Sequence, residues 1–182
     1  MESRSREHIG FGGSCHWCTE AIFLSLKGVM DVHQGWIAAD GINAYFSEAV
    51  LLTYDPAVIS LDTLIAVHLN THSCTSNHSM RTKYRSAVYT SNEEQKRIAL
   101  AAIQLLQAEF GEQIITEVLP CKEFKLNTED FLNYYYSNPE KPFCENIVNP
   151  KLRLLMEQFS AEVDLEKLRH LTENKKTSQI AD

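Results

Sequence analysis

The sequence predicts an α+β fold: a two-layer sandwich of the split β-α-β, ferredoxin-like kind, with a mixed sheet and helices appended at the C-terminus. Three observations carry this expectation. Apolar periodicity gives the order strand, helix, strand, strand, helix, strand, helix, strand. Two strands therefore follow one another between the first two helices, where a doubly wound sheet would alternate. The 182 residues, 44% hydrophobic and 23% charged, suffice for one hydrophobic core. No internal repeat or interdomain linker divides the chain, so residues 1–182 read as one domain, with a core over about 7–152 and a C-terminal helix and polar tail over about 149–182.

Each element has a local reason. EHIGFG (7–12) is short and hydrophobic enough for a strand. From Cys15 to Lys27, the apolar Ile22, Phe23 and Leu26 recur at helical spacing, and Gly28 stops the run. VMDVHQGWI (29–37) and EAVLLTYD (48–55) read as strands around a polar loop containing Asp40-Gly41, and Asp55-Pro56 closes the second. Ser60 can cap a helix to about Asn70, with Leu61, Leu64, Ile65 and His68 on one face. The polar, aperiodic 71–83 is a loop, and YRSAVYT (84–90) alternates as a strand. Ser91 to Glu94 reads as a capping box opening a helix that ends before Gly111, and IITEVLP (114–120) is the next strand. Thr128 can cap a short helix. Asn149-Pro150 pairs a cap residue with a proline suited to the first helical position, opening a helix to about Thr172.

Composition narrows the function classes. A net charge of −7, with no basic run except Lys175-Lys176, gives no electrostatic footprint for nucleic acid or an anionic membrane. No window approaches the roughly 18 to 20 apolar residues of a membrane span, and MESRSREHIG lacks a signal-peptide core, so a cytoplasmic location is expected. Five cysteines (Cys15, Cys18, Cys74, Cys121, Cys144) at irregular spacing argue against a disulfide framework and for a redox-active or catalytic thiol.

GGSCHWCTEAIF (12–23) places Cys15 at a helix start. There, unpaired N–H groups and the positive end of the helix dipole stabilise a thiolate, and the two glycines leave the sulfur uncrowded. A nucleophile fits that position, as does a buried cysteine in a tight turn. Zinc held by Cys15, Cys18, Cys74 and His72 or His78 is a third reading, although a second C-x-x-C or an H-x-x-x-H pair is missing. A thioredoxin-like dithiol is a fourth, but its cysteines usually enclose a small or proline-containing pair rather than His16-Trp17.

This stretch resembles the G-C-F-W-(C/G) motif of the A-type peptide methionine sulfoxide reductases. The resemblance continues in order through SEAVLLTYDPAVISLDTL (47–64), TKYRSAVYTSNEEQ (82–95) and, more loosely, TEDFLNYYYSNPEKPFCENIVNPKL (128–152). It implies reduction of methionine-S-sulfoxide, free or in proteins, with Cys15 as nucleophile and Trp17 contacting the substrate methyl. Glu48 would be the proton donor, Tyr84 would bind the sulfoxide oxygen with it, and Cys144 would resolve the sulfenic acid on Cys15. Cys18 is either a second redox thiol or a plain core cysteine on the first helix turn, and His16, Trp36 and Phe143 complete the substrate wall. The implied cofactor list is empty, with thioredoxin, or dithiothreitol in vitro, as reductant, and a monomer is expected.

The chain also departs from the motif. His16 replaces phenylalanine, Trp36 stands where tyrosine follows the glycine, the 35–48 segment is short, and Ser79 falls where aspartate is usual. Two alternatives therefore stand beside the enzyme: a regulatory thiol protein on the same fold, and a zinc-binding module.

Overall fold

The computed structural model describes residues 5–177. In chain order the elements are β1 (Glu7–Gly12), α1 (His16–Leu24), β2 (Val29–Ala38), β3 (Ser47–Tyr54), α2 (Leu61–Thr71), β4 (Ala87–Thr90), α3 (Glu93–Leu106), β5 (Glu117–Pro120), β6 (Glu123–Leu126), α4 (Tyr134–Ser137), α5 (Asn149–Gln158) and α6 (Arg169–Thr177). The strands form one sheet in the order β5-β4-β1-β3-β2-β6. β3 is antiparallel to both β1 and β2, so those two run parallel with β3 between them, which is the split β-α-β arrangement. The parallel β4–β5 pair makes the sheet mixed, as the sequence predicted.

Alternation along the strands sorts the two faces. Ile9, Phe11, Val50, Leu52 and Val88 meet Ile22, Phe23, Leu64 and Ile65 of the helices in the main core. Phe11 and Phe23 stack there with ring centroids 4.7 Å apart, and truncating either ring to alanine costs about 3–5 kcal/mol. On the other face, Ile37, Ala49, Ala87 and Tyr89 make a smaller cluster. Leu152, Leu155, Val163, Leu168 and Leu171 join the main core, so the C-terminal helices are packed onto the same interior as the sheet.

Several boundaries differ from expectation, each because a distant contact outweighs the local pattern. α1 ends at Leu24 rather than Lys27, because the chain turns to pair Leu26 with Val163 and to donate Lys27 N–H to Glu162. The capping box is shifted by one: Asn92 caps α3 by accepting from Gln95 N–H, and the Gln95 side chain accepts from Ser91 N–H. The expected strand 84–90 is regular only from Ala87, since 81–86 is held by side-chain contacts instead. The expected strand 114–120 likewise begins at Glu117. β6 was not foreseen; its Glu123 and Lys125 mark a short charged edge strand of the kind that shows no apolar signal.

The expected single C-terminal helix is two, α5 and α6. Asn149 does not cap: a π-helical turn, Cys144–Val148, runs directly into α5, and Asn149 accepts from the Tyr135 hydroxyl at 2.6 Å.

α2 reaches the start of α1 through His68. Its Nε2–H donates to the Gly12 carbonyl at 2.7 Å, while Nδ1 is buried without a partner. Burial lowers the His68 pKa to about 4, outweighing the Gly12 bond that acts the other way. The sign of the linkage follows. The folded pKa lies below the unfolded value of about 6.5, so this contribution to stability is intact above pH 6.5 and is lost as pH falls toward about 4. Urea unfolding between pH 7 and 4 is expected to show falling stability, with a slope of about 1.4 kcal/mol per pH unit for each proton taken up on unfolding. In His68→Gln the slope should shrink by one such proton. An unchanged slope would assign the acid sensitivity to other groups.

Candidate active site

The site is built at the N-terminus of α1. The turn before it needs glycine at two positions. A Cβ on Gly12 would lie 2.9 Å from the Arg85 carbonyl and 3.0 Å from that of Glu48, and one on Gly13, whose φ is +146°, would lie 2.5 Å from the His72 ring. β3, the segment before β4 and the residue after α2 can therefore close on this turn. Cys15 is the N-cap, and its carbonyl accepts from the N–H groups of Cys18 (3.1 Å) and Thr19 (3.2 Å).

The Cys15 sulfur makes no close capping bond, yet its surroundings lower its pKa. The Cys18 thiol contributes most, and the backbone N–H groups of Trp17 and Cys18 add to it. Burial and the Glu48 charge oppose them. Cys18 is driven strongly the other way, since it donates to Cys15 and is itself buried. The pair thus divides into a thiolate-prone Cys15 and a Cys18 that keeps its proton.

Glu48, on β3, is 7% exposed. Its Oε2 accepts from His16 N–H at 3.1 Å, the first helical donor of α1, and its Oε1 lies 3.5 Å from Lys83 Nζ. The His16 ring donates Nδ1–H to the Gly35 carbonyl at 3.0 Å, and its Nε2 lies 3.4 Å from Asn127 Nδ2 and 3.7 Å from Glu48 Oε2. Trp36 meets the His16 ring edge-on at 5.2 Å. Tyr84 is half-buried on the segment before β4. It is joined to Glu48 through Lys83, whose Nζ lies 5.1 Å from its ring centroid and whose pKa is raised first by Tyr84 and then by Glu48.

Trp17 forms the aromatic wall. Tyr134 stacks on it at 4.1 Å and 5°, Phe131 at 5.7 Å, and Phe143 meets it edge-on at 5.6 Å. Tyr134 is placed by Glu20, a buried carboxylate on α1 whose oxygens accept from the N–H groups of Asn133 and Tyr134, both at 3.0 Å. Burial raises the Glu20 pKa against those two bonds. Cys144 is fully buried in the main core. Its charge state is felt by Cys18 and Tyr134.

The structure therefore gathers Cys15, His16, Trp17, Cys18, Trp36 and Glu48 at one helix end, attaches Tyr84 through Lys83 and Phe143 through Trp17, and sets Cys144 beneath. The zinc reading loses its ligands: among the described residues no group of three or more His, Cys, Asp or Glu could hold a metal ion. Both His72 nitrogens are engaged, one with the His68 carbonyl and one with Ser86 Oγ at 2.8 Å. Glu20, Lys83, Asn127 and Tyr134 are site residues that sequence reasoning missed. Only Glu20, a carboxylate one helical turn and a residue beyond Cys15 in an otherwise apolar run, carried a local signal.

Fold and site together define an α+β protein with a thiol at a helix start, flanked by a buried carboxylate and aromatic rings. The family model described as "Peptide methionine sulfoxide reductase" matches residues 7–163. A peptide methionine sulfoxide reductase MsrA of Pasteurella multocida is 34% identical over 155 residues, covering 78% of this chain and 89% of the relative. The MsrA of Sulfolobus acidocaldarius is 31% identical over 163 residues, covering 81% and 92%. Among solved structures, reduced Mxr1 of Saccharomyces cerevisiae superposes with a TM-score of 0.69 at 22% identity, covering 76% of this chain and 89% of the other. Mxr1 in complex with Trx2 gives 0.56 at 22%, covering 69% and 82%. The chain belongs to the peptide methionine sulfoxide reductase family.

The Cys15–Cys18 contact yields a prediction. Iodoacetamide alkylation of Cys15, followed by peptide mass against pH, should have its midpoint below that of an ordinary thiol. Cys18→Ala should move the midpoint up, because the largest stabilising contact is gone, while Cys18→Ser, which keeps a donor, should move it less. Equal midpoints in wild type and Cys18→Ala would leave the backbone N–H groups as the sole cause.

Proposed function

We propose that the chain reduces methionine-S-sulfoxide, free or in proteins, with Cys15 as nucleophile and thioredoxin as reductant, acting as a cytoplasmic monomer. The observation that carries this reading is a cysteine whose ionised form is favoured at a helix start, between a buried carboxylate and a wall of aromatic rings. Attack of the Cys15 thiolate on sulfoxide sulfur must be accompanied by proton transfer to oxygen. Tyr84 and Glu48, the latter in its protonated form and both beside Lys83, are the groups suited to bind and protonate it. His16, Trp17, Trp36 and Phe143 offer apolar faces to the methyl group.

The electron balance is simple. Sulfoxide oxygen passes to Cys15, which becomes a sulfenic acid as methionine leaves, and a second thiol displaces that oxygen as water to form a disulfide. The family resemblance gave this second step to Cys144. Cys18 is favoured as first partner by its place in the first turn of α1, three residues from Cys15, and by its thiol's lowering of the Cys15 pKa, whereas Cys144 lies in the core at the head of a π-helical turn. Cys144, in the same core cluster as Cys18, then serves as the next thiol in line. Thioredoxin would return the protein to its dithiol state by exchange. The yeast neighbour solved with Trx2 supports that partner.

The test is turnover of resolved S and R epimers with thioredoxin and, separately, dithiothreitol. The S epimer alone should be reduced. Cys15→Ser should abolish turnover, and Glu48→Gln should slow the single-turnover step by about 10² to 10⁴-fold, the usual size of a lost general acid. Peptide mapping after one oxidative turnover without reductant should yield a Cys15–Cys18 crosslink. A direct Cys15–Cys144 crosslink would return the resolving role to Cys144. Wild-type turnover by Cys15→Ser would transfer the nucleophile's role to Cys18, whereas no turnover of either epimer by the unaltered chain would favour a regulatory thiol protein.

A further inference from the structure

Behind the segment that carries Tyr84 lies a cavity of about 320 Å³, lined among others by Tyr45, Asn77, Arg81, Thr82, Arg85 and Glu117. Two guanidinium groups border it, and neither has a carboxylate within ion-pair distance among the described residues. Arg85 is only 3% exposed. Its Nη1 donates to the Tyr89 hydroxyl at 3.2 Å, its Nη2 donates to the Tyr45 carbonyl at 2.9 Å, and the group sits 4.2 Å over the Tyr45 ring centroid. Its Nε–H is buried with no partner.

Arg81 is held entirely by carbonyls. Nη1 donates to Gly13 (2.8 Å) and Tyr84 (3.0 Å), Nη2 to Ser73 (2.5 Å) and Nε to Ser76 (2.9 Å). The one carboxylate on the cavity, Glu117, accepts from Asn43 Nδ2 at 3.3 Å and is exposed.

A buried guanidinium without a counter-charge and with an unmade donor is costly, and proteins rarely leave one so. The cavity beside it has room for several hydrated atoms, since a water occupies about 30 Å³ of liquid. Two arginines against one carboxylate leave the cavity walls net positive, and a guanidinium is shaped to bind two oxygens of one planar or tetrahedral anion. We propose that this cavity is a binding site for a small oxyanion of the phosphate or carboxylate class, seated on Arg85 with Arg81 at its edge. Because Arg81 also holds the carbonyls of Gly13 and Tyr84, an anion here would bear on the backbone that positions both the Cys15 turn and Tyr84.

The experiment is thermal unfolding and isothermal titration of the full chain with inorganic phosphate, in an oxyanion-free cationic buffer at ionic strength fixed with chloride. Acetate serves as the carboxylate arm. A site-bound anion should give a saturable rise in Tm and a measurable heat, with chloride giving neither. A response to phosphate alone assigns the tetrahedral anion, and a response to acetate alone assigns the carboxylate. Glu117→Gln should tighten binding about two- to fivefold, the size of removing one partly exposed like charge from the ligand. Arg85→Met should abolish the saturable response. Should Arg85→Met fail to fold, Glu117→Gln decides alone. Affinity unchanged by Glu117→Gln, or a phosphate response no different from chloride, overturns the proposal.

Discussion

Two acidic groups share the free N–H donors at one end of α1, and the site depends on how that sharing is divided. The first helical N–H, of His16, donates to Glu48, while those of Trp17 and Cys18 act on the Cys15 sulfur. A helix N-terminus offers few unpaired donors and about half a unit of positive charge, so it can favour two anions only if they stay apart. Here the anions oppose one another: the Glu48 charge raises the Cys15 pKa that the helix end and Cys18 lower. The Cys15 thiol and the Glu48 carboxyl are thus coupled through one helix end, each by different backbone N–H groups. Gly12 and Gly13 make the coupling possible, because a side chain at either would strike the Arg85 and Glu48 carbonyls or the His72 ring.

The rest of the molecule holds this helix end in place. α2 supports the turn from below through the His68 bond to Gly12, and Arg81 ties the Gly13 carbonyl to that of Tyr84. On the other side, Glu20 fixes the N–H groups of Asn133 and Tyr134, and Asn133 takes a left-handed conformation (φ 52°) so that Tyr134 lies flat on Trp17. α1 and its N-cap therefore carry Cys15, Cys18, the ring of Trp17 on which Tyr134 stacks, and Glu20, which anchors Tyr134. The C-terminal elements add a second buried thiol, Cys144, to the core that also holds Cys18, so of these three cysteines Cys15 alone is partly exposed.

Much of this was legible in the sequence where the cause was local. Two strands in succession between helices gave the split β-α-β topology, Ser60 capped α2 as expected by accepting from Thr63 N–H, and the glycines before Cys15 marked a helix start with room for a thiol. What was hidden depends on contacts far apart in sequence. β6 is held by pairing with β2 and has no hydrophobic pattern of its own. The break between α5 and α6 is set by Val163 pairing back to Leu26. Tyr134 is a site residue only because Glu20, more than a hundred positions earlier, holds its N–H. PEKPFCEN reads as a surface loop because its prolines and charges dominate the pattern, while the single Cys144 side chain turns inward.

The sharing of the α1 N-terminus is open to one direct measurement: the alkylation midpoint of Cys15 in Glu48→Gln against wild type. The amide can still accept from His16 N–H, so the helix end stays capped while the charge is gone. The account predicts that the Cys15 midpoint falls, because the Glu48 charge that raises it has been removed. A midpoint that stays put or rises would show that the carboxylate does not oppose the thiolate, and that the two groups are not coupled through the helix end.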